Sequence, residues 1–74
     1  MNQRSTKIVQ LLSREKDEIT VAGFAEYFDV SQKTIRNDLK DINDILEKNQ
    51  KAQIVIKRGG VIIAPDNFKD SLPL

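Results

Sequence analysis

The spacing of apolar residues predicts an α+β domain in which three helices precede a two-stranded β-hairpin. Two observations carry this expectation. Up to Leu46 the large apolar residues recur three and four apart, the period of a helix buried on one face. From Ala52 that period gives way to two β-branched runs, Ile54-Val55-Ile56 and Val61-Ile62-Ile63, on either side of a paired glycine.

The first helix is expected from about Arg4 to Lys16, where Ile8, Leu11 and Leu12 stand at i, i+3, i+4 with Val9 beside them. Asp17-Glu18 interrupts the pattern, and Ile19 is a single apolar residue in an extended stretch. Thr20 suits the N-cap of the second helix, whose stripe is Val21, Phe24, Ala25 and Phe28. Gly23 within it costs about 1 kcal/mol relative to alanine, and the sequence offers no reason for it.

Asp29-Val30-Ser31 reads as a tight turn. Asp29 tolerates the left-handed conformation, Val30 can plug the core, and Ser31 can cap the next helix. That third helix is the longest, with Ile35, Leu39, Ile42 and Leu46 at i, i+4, i+7, i+11. In the hairpin, Lys57-Arg58-Gly59-Gly60 forms the turn, because glycine reaches the positive φ angles a tight turn needs. Pro65 ends the second strand, since it lacks an N–H for the ladder. The domain is thus expected over residues 1–65. Residues 66–74 have no periodicity, with Pro65 and Pro73 nearby, and read as a tail or linker. Two helices joined by a short turn, the second followed by a hairpin, make the layout of a winged helix-turn-helix.

Composition narrows the chemistry. The 74 residues contain no cysteine and no histidine, which excludes a disulfide scaffold and a zinc site built from the usual ligands. No apolar run approaches the roughly 20 residues that span a bilayer, so a cytoplasmic protein with no membrane partner is expected. The net charge is only +1, but the signs are segregated. Lys33, Arg36 and Lys40 face a single acid, Asp38, in the first half of the third helix, and Asp41, Asp44 and Glu47 follow. Such segregation suggests distinct cationic and anionic faces.

Opposite the apolar stripe, the first turns of the third helix present Gln32, Lys33, Arg36, Asn37 and Lys40, with Thr34 at the flank. Arginine and lysine can donate to guanine, glutamine and asparagine can pair with adenine, and a threonine methyl can meet thymine. An ordinary solvated helix face has a similar composition. The capped turn at Ser31 and the gathering of bases before Lys40 favour a double-stranded DNA operator as partner. Lys57 and Arg58 on the glycine turn can approach a phosphate or the minor groove, or merely solubilise a hairpin.

Asp38, Asp41 and Asp44 are expected to be a solvated face rather than metal ligands, and no metal or other cofactor is expected. Phe24, Tyr27 and Phe28 are expected in the core or at its edge. With no histidine or cysteine to pair with a serine, an enzyme is not expected. A winged helix used only for protein contact or oligomerisation is the competing function, and RNA binding ranks last, because A-form RNA hides its major groove from a helix.

The stretch Val30-Ser31-Gln32-Lys33-Thr34-Ile35-Arg36-Asn37-Asp38-Leu39-Lys40-Asp41-Ile42-Asn43 resembles the recognition helix of bacterial regulators governed by the phosphotransferase system, the BglG-type and mannitol-operon-activator group. DeoR-type repressors share most of it but usually carry a second arginine where Asn37 stands. The resemblance covers residues 1 to about 64. It implies that Ser31 caps the recognition helix, that Gln32, Lys33, Thr34 and Arg36 approach bases or phosphates, and that Asn37 and Lys40 line the same groove. This chain departs from the pattern in having Gly60-Val61 where a Gly-Tyr pair commonly opens the second wing strand, and Asp29 where glycine is usual. Full regulators of this kind are much longer. One isolated domain makes few phosphate contacts, so tight binding calls for a homodimer formed through parts outside this chain.

Overall fold

The computed structural model describes residues 1–72, apart from the side chain of Ser71; Pro73, counted above with Pro65, lies outside the described residues. Helix α1 spans Gln3–Arg14 and starts on a cap the periodicity did not reveal: Asn2 Oδ1 accepts from the Ser5 amide at 2.7 Å. Its buried face is Ser5, Ile8 and Val9, while Leu11 and Leu12 are only partly covered. The buried face is therefore rotated from the expected stripe toward Ser5, whose side chain is covered along with Ile8 and Val9.

Residues Ile19–Thr20 form a two-residue strand, β1, that runs directly into α2, Val21–Phe28. Thr20 Oγ1 caps α2 by accepting from the Gly23 amide at 3.0 Å. Gly23 now has an explanation: a Cβ there would stand 3.1 Å from that same capping hydroxyl. At the far end of α2, Asp29 adopts the left-handed conformation (φ 55°, ψ 50°), and the Val30 amide donates to the Ala25 carbonyl at 3.0 Å. This closes the helix in the manner of a Schellman turn without a glycine. Val30 is half-buried against the core.

Helix α3, Gln32–Lys48, carries the predicted stripe without interruption: Ile35, Leu39, Ile42 and Leu46 are all buried. Each such side chain removed from water contributes about 1.5–3 kcal/mol, so α3 is the main support of the core. After it, strands β2 (Val55–Lys57) and β3 (Val61–Ile63) pair antiparallel, with Ile56 opposite Ile62. Between them, Gly59 (φ 82°) and Gly60 (φ 79°) turn the chain in conformations that a side chain would strain.

The expected β2–β3 hairpin forms, and β1 adds a third strand to it by pairing with β3 through Ile19 opposite Ile62, giving a sheet of order β1-β3-β2. A two-residue strand is too short to show any period. One expectation needs correction, because residues 66–72 do not behave as a tail: a 3₁₀ turn over Phe68–Ser71 returns the chain to α1 and α3, and Phe68 and Leu72 are buried in the core. Two apolar residues four apart are enough to anchor one turn but too few to register as a pattern. No helix among the described residues is long and apolar enough to cross a membrane.

Candidate nucleic-acid interface

The buried stripe fixes which way α3 faces. With Ile35, Leu39, Ile42 and Leu46 inward, the side chains of Gln32, Lys33, Arg36, Asn37 and Lys40 are exposed, as is the capping residue Ser31. Thr34 is half-buried, and its amide donates to Ser31 Oγ at 3.1 Å, while the two hydroxyls lie 3.0 Å apart. Thr34 is thus engaged in the cap itself, so its side chain is less available than those of its neighbours. The amides of Gln32 and Lys33 belong to the first turn, where a helix provides no internal acceptor, and they sit at the positive end of the helix dipole.

Lys57 and Arg58 are exposed at the tip of the wing. None of Lys33, Arg36, Lys40, Lys57 or Arg58 is held in an ion pair among the described residues. These five cations therefore remain available to an anionic partner. Further along α3 the exposed charges are Asp41, Asp44 and Glu47, with Lys48 at the end. The cationic surface ends after Lys40.

Two contacts that hold this arrangement escape a reading of the sequence. Asn43 uses both ends of its amide on one residue: Nδ2 donates to the Ile54 carbonyl at 2.9 Å, and the Ile54 N–H donates to Oδ1 at 2.7 Å. The strand leading into the wing tip is thereby tied to α3. On the other side, Arg4 donates through Nε to Asp38 Oδ2 and through Nη2 to Asp38 Oδ1 at 3.2 Å, a two-pronged ion pair between α1 and α3. The hydrogen bond to Asp38 raises the Arg4 pKa above its ordinary value against a smaller opposing effect of desolvation, and the attraction of the carboxylate adds to it.

Asp38 corrects the expectation of a solvated acidic face. It is buried, whereas Asp41 and Asp44 are exposed. Its position offered a signal, since Ile35, Asp38 and Ile42 stand at i, i+3, i+7 and so share an edge of the stripe. Among the described residues no cluster of acids could hold a metal ion. Tyr27 also departs from expectation: it is 63% exposed and meets the edge of Phe28, while Phe24 is in the core.

A family model described as an HTH domain matches residues 4–62. The chain is 43% identical over 60 residues to the transcriptional regulator ManR of Bacillus subtilis (strain 168), an alignment covering 80% of this chain and 9% of that protein. The chain therefore spans about a tenth of the length of that relative. No solved structure gives a significant match.

Proposed function

Because the chain belongs to the HTH-domain family, we propose that it binds double-stranded DNA sequence-specifically, with α3 in the major groove and the wing on the phosphate backbone. The observation that carries this is the outward face of α3: Gln32, Lys33, Arg36, Asn37 and Lys40 are exposed together on a helix whose opposite face is locked into the core. An α-helix with its side chains is about 10–12 Å across, and the major groove of B-DNA is about 12 Å wide. Arg36, Gln32 and Asn37 supply the donors and acceptors that base edges can distinguish, and Lys33 and Lys40 supply charge. The amides at the start of α3 offer a phosphate site, and Lys57 and Arg58 neutralise a backbone beside the groove.

The name of the relative, a transcriptional regulator, supports placing this binding in the control of transcription in the cytoplasm. The resemblance of residues 30–43 to phosphotransferase-system regulators points the same way. In that reading the sensing of a sugar signal belongs to other domains of a longer regulator, and pairing of two copies through such domains brings affinity up to a working level.

Replacing Lys33 and Arg36 together by glutamate tests the reading directly. The variant is expected to lose binding to duplexes selected by the unaltered protein from a random pool, with its circular dichroism unchanged. Undiminished binding by a folded variant would remove α3 from the interface. A domain that selects no duplex at any ionic strength would instead act through protein contacts alone.

A further inference from the structure

The two tethers of α3 lie on opposite sides of it. At about 100° per residue, Asp38 and Asn43 fall on either flank of the buried stripe, with the exposed face of Lys33, Arg36, Asn37 and Lys40 between them. The wing, with Lys57 and Arg58, is attached on the Asn43 flank. The Asp38 flank carries Arg4. A helix that fills a major groove has one phosphate backbone along each flank. The wing cations serve one backbone, and none of Lys33, Arg36, Lys40, Lys57 or Arg58 lies on the Asp38 flank to serve the other.

We propose that Arg4 is a DNA-phosphate contact, held by Asp38 on the flank of α3 away from the wing, so that different elements of the fold grip the two backbones. This rests on the reading of α3 as the groove-binding helix. The chemistry of the pair fits the role. A guanidinium has five N–H donors, and Asp38 takes the one on Nε and one on Nη2. Both hydrogens of Nη1 and the second on Nη2 have no acceptor among the described residues. The two side chains are also unequal in exposure: Asp38 is 4% accessible while Arg4 is 31% accessible. The carboxylate is enclosed as a support, while the arginine side chain is partly open to solvent and its guanidinium has donors to spare. Asp38 is then a positioning residue. It fixes the plane of the guanidinium, and a planar fork oriented in advance loses less freedom on meeting a phosphate than a mobile lysine does.

The pair also resolves an apparent obstacle. A carboxylate in the second turn of a groove-binding helix would repel phosphate, yet Asp38 is buried and its charge is countered by Arg4.

The double variant Arg4→Gln with Asp38→Asn leaves the net charge unchanged and replaces the ion pair by amides that can still bond to each other. The readout is the dependence of affinity on salt concentration for short random-sequence duplexes, compared between this variant and the unaltered protein. Each phosphate contact contributes about 0.9 to the slope of log affinity against log salt, so the variant's slope is expected to be shallower by about 0.9. A purely structural ion pair predicts the same slope in both proteins, and that result in a folded variant overturns the assignment while leaving the groove-binding reading of α3 intact. If the unaltered protein binds no duplex, both readings fall. Should the variant not fold, the unaltered protein still decides: addition of duplex is expected to shift the nitrogen resonances of the Arg4 guanidinium, and unshifted resonances on saturation with duplex overturn the proposal.

Discussion

The two halves of α3 share one apolar stripe and almost nothing else. From Gln32 to Lys40 the exposed side chains are amides and cations with no ion-pair partner among the described residues, and the only acid, Asp38, is buried and countered by Arg4. From Asp41 to Lys48 the exposed charges are mostly acids, and the half-buried Asn43 points its amide at the strand leading to the wing. The N-terminal half presents free cations outward, whereas the C-terminal half presents mostly acids and ties α3 to the wing through Asn43. A single helix can therefore present free cations along one stretch and hold the fold together along the next, because burial sets its rotation while the outward residues are free to differ.

The strongest way to break this division is at the stripe both halves share. Leu39→Ala opens a cavity at the junction and is expected to cost about 2–5 kcal/mol, enough to unfold much of so small a domain. In a thermal melt the helical signal and the strand pairing of the wing should then disappear in one transition. Loss of one half with survival of the other would refute the idea of a common core. Asn43→Ala touches the scaffold half alone. It leaves the Ile54 N–H and carbonyl without their partner, an expected cost of about 1–3 kcal/mol by urea denaturation, accompanied by faster amide exchange at Ile54. Ser31→Ala touches the N-terminal half. Removing the cap hydroxyl from the Thr34 amide should cost about 0.5–2 kcal/mol, with early loss of exchange protection confined to the first turn of α3.

The N-terminal half was the more legible in the sequence. Four apolar residues in register gave the rotation of α3, and Ser31 and Thr20 declared themselves as caps by residue type and place. Asp29 was legible as the left-handed residue for the same local reason. What escaped was non-local. Arg4 and Asp38 are 34 residues apart, and Asn43 and Ile54 are 11 apart across a change of secondary structure. Nothing in residue spacing couples such pairs, although a charged residue on the edge of an apolar stripe is reason to look for a counter-ion. The strand at Ile19–Thr20 and the anchor at Phe68 and Leu72 escaped because each is too short to repeat.

The amide of Asn43 has one more effect. In a sheet of order β1-β3-β2, β2 is an edge, and edges invite strands of other molecules to pair with them. Val55 and Ile63, opposite each other and both about half exposed, make the outer face of this edge sticky. By occupying the N–H and carbonyl of Ile54, Asn43 shortens the stretch that a foreign strand could extend along, leaving only the three residues of β2 itself. The same contact that holds the wing in place also guards the domain against aggregation.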